Sequence, residues 1–380
     1  MSLTPLTPLM RLACLVFLGA CSTAKAVPVD ASLIADASPE ATDAGTFDAS
    51  PLSEAASDAL APEPTFPPGV YYAEPNEKQR GATIRHLEGK LTITPTIAGI
   101  GFDLNARTLV STDNNSTLTF TSPTGTTQSL VLKGLYAVVR PSLSPDGQFV
   151  AVQATETAFK PSDGPTFLTV YRVNATTGDW FRLATPNTNP ATGNELPEWF
   201  ADGKRLSYQG FENDCNIFRI LDLDGKNPAV TIQNGGSTGC FQPTAQTGPR
   251  FHMTVSADSR RLLSAGQMQT FNTETGALLG DIRSQAIAAL IGAGYAIDPR
   301  YPGQGNGGTF PLDATFSPDA SEVVFDGAVS KNGTYGVILC SIHADGTGFQ
   351  VLKGPIAVNA EFSNGHNFSQ LTPTWKSWAK

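Results

Sequence analysis

Histidine is scarce in this chain: four residues in 380, at positions 86, 252, 343 and 366. None stands at the spacing of a zinc motif, so no histidine metal centre is written locally into the sequence. Basic residues are few, 25 Lys and Arg against 34 acids, and they form no cluster. Without a basic patch there is no electrostatic footprint for nucleic acid or for anionic lipid. Aromatic residues make up 9% and are scattered, which argues against the stacking platforms that hold single strands. The apolar run at residues 12–21 is too short to span a bilayer,. Nothing in the composition calls for a cofactor, and none is expected.

The charge that is present is unevenly placed. Of the net −9, +1 belongs to residues 1–21 and −7 to residues 22–66, which leaves −3 for everything that follows. The first part has one cation, Arg11, before Leu12-Ala13-Cys14-Leu15-Val16-Phe17-Leu18-Gly19-Ala20-Cys21, the size of a signal h-region,. Its ending, Leu18-Gly19-Ala20-Cys21, resembles a bacterial lipobox, which implies that residues 1–21 are a lipoprotein signal peptide and that Cys21 is lipidated. Ser22 rather than an acid follows, which implies the outer membrane. Several acyl chains would make the anchor stable, where a single chain binds only marginally. Residues 22–66 are Ala, Ser, Asp, Pro and Thr, with eight acids against Lys25. So acidic a segment, poor in large apolar side chains, cannot offset its chain entropy by burial and is expected to be a disordered tether.

Beyond the tether one device recurs. Pro141-Ser142-Leu143-Ser144-Pro145-Asp146-Gly147 has counterparts at Glu198–Gly203, Thr254–Ser259 and Thr315–Ala320, with a weaker copy at Gly101–Ala106 and a truncated one at Pro373–Trp378. Aligned on the turn residue (Asn105, Asp146, Asp202, Asp258, Asp319 and the equivalent Trp378), the copies lie 41 to 61 residues apart. Three residues before it stand Phe102, Leu143, Trp199, Val255, Phe316 and Trp375; four after it stand Leu109, Val150, Leu206, Leu262 and Val323. Both ends of each hairpin are therefore expected to be buried. Between them Pro presets φ, Asp bonds its own backbone and Gly or a small residue tolerates the tight geometry. Six such repeats filled with short strands predict an all-β, six-bladed β-propeller of four-stranded antiparallel blades over residues 67–380.

Blades one to five read as inner hairpin, third strand, short turn and fourth strand. The N-terminal stretch offers only three strands, around Val70–Tyr72, Ala82–Leu87 and Lys90–Thr94. The missing innermost strand is expected from Thr372–Trp378, so that the two termini share the sixth blade and leave no open edge. The long connections, residues 155–166, 185–197, 235–250 and 283–311, all leave from the face where inner strands begin. Residues 284–291 within the last are apolar enough for a short helix. The hairpin, its following strand, a turn of the Ala344-Asp345-Gly346-Thr347-Gly348 kind and a closing strand are similar to the WD-like repeat of the TolB family. This resemblance covers residues 69–380. It implies an envelope protein that recognises a protein partner in the periplasm or at the cell surface rather than performing chemistry.

Candidate sites are sparse. Arg140, His252 and Asp313 each fall six residues before a turn acid, a register that should place them near the mouth of the channel, and they are the candidates for contacting a ligand or partner. A propeller enzyme of the lyase or lactonase type would hold a metal over the channel and would need more carboxylates or imidazoles there than His252 and Asp313. A sugar- or peptide-binding module on the long-loop face is a further alternative. Gly235-Gly236-Ser237-Thr238-Gly239 matches G-x-S-x-G, but Cys240-Phe241-Gln242-Pro243 does not start the helix that a nucleophile elbow requires. Gly303–Gly308 fits G-x-G-x-x-G without the flanking strand and helix of a dinucleotide site. Cys215 and Cys240 are expected at the same end of one blade and could pair, a closure worth about 3 kcal/mol. Cys340 is expected to be a small core residue.

Overall fold

A computed structural model describes residues 63–76, 81–98, 101–158, 168–184, 195–212, 215–224, 230–233, 253–297, 311, 313–356 and 373–376. The chain forms three N-terminal strands, β1 (Gly69–Pro75), β2 (Ala82–His86) and β3 (Thr96–Ile97). Blade one follows as β4 (Phe102–Leu104), β5 (Leu109–Thr112), β6 (Thr117–Thr121) and β7 (Thr127–Val131). Blade two is β8 (Tyr136–Leu143), β9 (Phe149–Thr155), β10 (Thr169–Asn174) and β11 (Trp180–Arg182). Blade three is β12 (Glu195–Trp199), β13 (Arg205–Glu212), β14 (Cys215–Asp222) and β15 (Val230–Gln233). Blade four is β16 (Met253–Val255), β17 (Arg261–Ser264), β18 (Gln269–Asn272) and β19 (Leu278–Asp281), followed by helix α1 (Arg283–Gly292). Blade five holds β20 (Ala296–Ile297), β21 (Asp313–Phe316), β22 (Glu322–Lys331), β23 (Thr334–His343) and β24 (Gln350–Ile356), and β25 (Thr374–Lys376) comes last.

Neighbours in sequence are neighbours in each sheet, with two exceptions: β20 and β21 both pair with β22 in blade five, and a second exception closes the molecule. The sixth sheet runs β25-β1-β2-β3, with Val70 opposite Trp375 and Gly69 opposite Lys376. The termini thus share a blade as the repeat register predicts, and the last strand takes the innermost place. The third strand of that blade differs from expectation. It is Thr96–Ile97 rather than Lys90–Thr94, because Gly89 turns the chain at φ +69° and the pairing resumes only around Pro95, whose carbonyl accepts the amide of Ile84.

Each pair of adjacent blades encloses its own apolar cluster, and the six clusters account for the ring. Phe102, Leu104 and Leu109 meet Tyr71, Ala73 and Ile84 between blades six and one. Leu143 and Val152 meet Val110 and Leu118 between one and two; Trp199 and Leu206 meet Ala151 and Val170 between two and three. Met253 and Leu262 meet Phe200 and Phe218 between three and four, Phe316 and Val323 meet Leu263 and Met268 between four and five, and Val70 and Tyr72 meet Val324 and Leu339 between five and six. The large residue three before each turn acid faces the preceding blade. By the two-residue period of a strand, residues two and four before it face the following blade along the channel wall.

Two local features frame the ring. Helix α1 buries Ala286 and Leu290 in the cluster between blades four and five, as an apolar stripe at i, i+4 should,. Ahead of β1, Phe66 is 1% exposed in the cluster of blades six and one, and its amide donates to Ala106 O at 2.8 Å. The packed unit therefore begins one residue before position 67. Cys340 is buried, and burial, with the Asp326 charge second, pushes its thiol well above the ordinary range. Among the described residues no helix is long and apolar enough to cross a membrane.

Candidate channel site

The inner strands of all six blades line a cavity of about 590 Å³. It runs from Arg140 and Leu196, six residues before their turn acids, to the hairpin residues Asn105, Pro145, Ala201, Ala257 and Pro318. The cavity thus reaches the end of the channel where inner strands finish, opposite the face from which the long connections leave. Its volume falls in the range of small-molecule and peptide clefts.

The hairpins that form its rim are built alike. Ser144 Oγ, Ser256 Oγ and Ser317 Oγ donate to Asp146, Asp258 and Asp319 at 2.6 to 2.7 Å, and each carboxylate also accepts a backbone amide two residues on. Hydrogen bonds from Ser317 and Ser321 hold the Asp319 carboxyl down to about 2. Two arginines chain neighbouring hairpins together. Arg205 donates to Ser259 O and Arg261 to Ala320 O, each at 3.3 Å and each from one blade to the next.

Inside the cavity, polar and charged groups meet across blade boundaries. Lys376 Nζ from blade six lies 2.8 Å from Asp103 Oδ1 of blade one. Asp103 also accepts the amides of Leu104 at 2.8 Å and, through Oδ2, of Leu143 in blade two at 2.7 Å. Desolvation pulls the Lys376 ammonium down, but the charges of Asp103 and Glu198 outweigh it and hold it above the usual lysine range. In blade two, Ser142 Oγ donates to Glu198 Oε2 at 3.3 Å and accepts the Trp199 amide at 3.0 Å, both in blade three. Lys376 and Asp103 stand two residues before their turn positions; Ser142 and Glu198 stand four before. Sequence reasoning placed no role on these four residues, although a step of one residue from the large apolar positions Phe102, Leu143, Trp199 and Trp375 leads to them.

Of the candidates chosen from sequence, Arg140 and Asp313 fall within the described residues. Arg140 lines the cavity at its deep end. It adopts φ +52°, and Leu196 at the same register of blade three adopts φ +56°. Both strands slip register there, between Val139 and Ser142 and between Glu195 and Glu198. A left-handed non-glycine residue costs about 1 kcal/mol or more, and a bulge re-aims the side chain it carries. Gly101 makes room for this approach, since a Cβ there would lie 2.8 Å from Pro141 Cδ and 3.0 Å from Arg140 N. Asp313 is buried within blade five instead. Its amide donates to Asp326 Oδ1 at 2.7 Å and its Oδ1 accepts the Ala314 amide at 2.9 Å. His252, the cysteine pair 215 and 240, and the glycine-rich stretches 235–239 and 303–308 lie outside the residues whose side chains are described. Among the described residues no group of three or more His, Cys, Asp or Glu is placed to hold a metal ion.

Neither a protein-family model nor a curated protein matches the chain. Among solved structures it is similar to TolB from Acinetobacter baumannii, at 16% identity and a TM-score of 0.46, over 73% of this chain and 61% of that one. The chain thus spans less than two thirds of the length of that relative. It is similar to a chain of the nidogen/laminin complex, at 11% identity and a TM-score of 0.46, over 74% of this chain and 91% of that one. A gluconolactonase from Xanthomonas campestris aligns at 16% identity and a TM-score of 0.40, over 68% of this chain and 84% of that one. The chain is a six-bladed β-propeller whose termini pair in the sixth blade.

Proposed function

We propose that this propeller is a binding scaffold of the bacterial cell envelope, carried on a lipid at Cys21 and an acidic tether, and that it takes a protein partner at the hairpin end of its channel. The observation that carries the reading is the composition of the cavity wall. Its polar groups are engaged with one another across blade boundaries, Lys376 with Asp103 and under the charge of Glu198, and Glu198 with the Ser142 hydroxyl. A wall of that kind offers shape and paired polar groups, which suits recognition. The rim supports the same role, because its hairpins are fixed by their own Ser-Asp bonds and by the Arg205 and Arg261 links, so a partner would meet a preorganised surface,.

The test is site-specific photocrosslinking in intact cells. A photoreactive residue at Ala201, Ala257 or Pro318 should capture an envelope protein, whereas the same residue at Val131 or Phe181 on the outer strands should not. Equal capture from both sets, or none from the rim, removes the channel from the interface. The anchor is tested apart from it: Cys21→Ser should release the chain from membranes or leave it unprocessed.

A further inference from the structure

The sixth blade holds a buried titratable ring that none of the preceding chemistry uses. His86, the last residue of β2, is 4% exposed. Its Nδ1 accepts the amide of Glu88 at 3.2 Å. An amide can only donate, so Nδ1 carries no proton, and Nε2 is the protonated nitrogen that meets Pro68 O at 3.2 Å,. The ring stands edge-on to Tyr71, with centroids 5.0 Å apart. It also fills the space beside Gly69, where a Cβ would come within 2.5 Å of Nε2 at φ +145°.

This position is the seam of the ring. Gly69, Val70 and Tyr71 are the residues of β1 that pair with β25. The strap that leads into them is held by the same two side chains, since Tyr71 donates its hydroxyl to Pro67 O while His86 donates to Pro68 O. A second proton on the imidazole would turn Nδ1 toward the Glu88 amide as donor against donor and would place a charge in a nearly closed slot. The groups facing the ring do little to offset this. The Glu88 carboxylate pairs with Lys90 at the exposed turn, and its interaction with the His86 charge is the weakest of those acting on it. Arg85 pairs with Glu74 from the neighbouring position of β2, which faces the other side of the strand. Lys376, across β1, is committed to Asp103 on the channel side. The Tyr71 hydroxyl, far from ionising because burial raises it, is committed to Pro67.

We propose that His86 is an acid-sensitive latch on the propeller's closing seam: neutral, it locks the strap and β1 in place, and protonated, it leaves its slot and frees the edge that pairs with β25. The seam is then secured at neutral pH and loosened as the medium acidifies, with the tether-bearing strap released first.

The experiment is amide hydrogen exchange on the full chain at about pH 7.5 and about pH 5, corrected for intrinsic exchange, with histidine-selective NMR to follow the ring. His86 should show the Nε2-protonated tautomer at the higher pH. At the lower, exchange at residues 69–72 and 374–376 should rise by about tenfold or more, while β9 and β10 of blade two stay protected. His86→Asn, which cannot titrate, should remove the difference between the two pH values, and His343→Gln should keep it. Should His86→Asn fail to fold, the tautomer and exchange of the unaltered chain still decide the matter. A seam whose protection is the same at both pH values, a pH response that survives in His86→Asn, or an Nδ1-protonated ring at neutral pH would each overturn the proposal.

Discussion

The ammonium of Lys376, the last residue of β25, lies 2.8 Å from a carboxylate oxygen of Asp103, so β25 is fastened to blade one. The lysine side chain is 22% exposed and the aspartate 6%. An ion pair this sheltered is costly to break from one side, because the partner keeps a charge with little water to solvate it. Lys376→Met should destabilise the protein by about 3 kcal/mol or more, and Asp103→Asn should cost a similar amount. The double variant should recover part of the loss, as a double-mutant cycle by chemical denaturation would register. Additive losses would mean that the two charges do not act on one another. The pH dependence has a definite sign. The folded-state value of Lys376 is raised by its acidic neighbours, so its contribution is complete below the ordinary lysine range and fades as the pH rises through the folded value,. Alkaline destabilisation should therefore be blunted in Lys376→Met.

The hairpin acids set the opposite limb. Asp319 is held down to about 2 by Ser317 and Ser321, against an ordinary value of 3.8. A depressed carboxyl stabilises the fold above its unfolded value and loses that contribution as the pH falls through the folded one. Asp319→Asn should accordingly lower stability near neutrality and flatten its dependence between about pH 4 and about pH 2. A thermal-melt series across that window checks it. A variant with the same acid slope as the unaltered chain would show that this turn contributes nothing to acid sensitivity.

Much of this architecture was legible because a propeller repeats its physics. A turn acid with an apolar residue three before and another four after it is a local pattern, and it located Leu109, Val150, Leu206, Leu262 and Val323, all fully buried. The closing strand followed from counting blades, and α1 from an apolar run within a long connection. The channel wall was harder to read. Lys376 and Asp103 look like ordinary polar residues until the ring brings the last strand beside the first blade. The left-handed backbone at Arg140 and Leu196 leaves no trace in sequence, because neither position is the glycine that usually marks it,. The burial of Phe66 is hidden for a related reason, since Phe102, Leu104 and Leu109 in its cluster come from another blade.

Trp199 tests whether the aligned aromatic positions carry equivalent loads. Its ring is 7% exposed and stacks on Phe149 of the preceding blade with centroids 6.5 Å apart. Trp199→Ala should cost about 3 to 5 kcal/mol, as for large aromatics removed from a core. Its indole N–H has no hydrogen-bond partner among the described residues, so Trp199→Phe gives up packing volume without orphaning an acceptor. That variant should lose about 1.5 kcal/mol or less. Urea denaturation of both variants separates the outcomes, and equal losses would point to a polar role for the indole instead of packing.

The strongest test of the ring is to cut it at the seam. Three residue pairs join β25 to β1, and residue 376 adds its ion pair to blade one. Removing residues 373–380 would leave the inner edge of β1 unpaired and the Asp103 carboxylate without its cation. Unpaired edges recruit other strands, so the truncated chain should aggregate or become protease-sensitive and melt well below the full chain. The other terminus should behave differently according to where the cut falls. Deleting residues 22–62 removes the acidic tether and none of the described packing, and the melting temperature should hold. Extending the deletion through residue 66 removes a phenylalanine that is 1% exposed between blades six and one, and the loss should approach the about 3 to 5 kcal/mol of a buried aromatic. A C-terminal truncation that melts with the full chain would show that the blades do not depend on closure. Equal stability of the two N-terminal deletions would show that the strap merely rests on the ring.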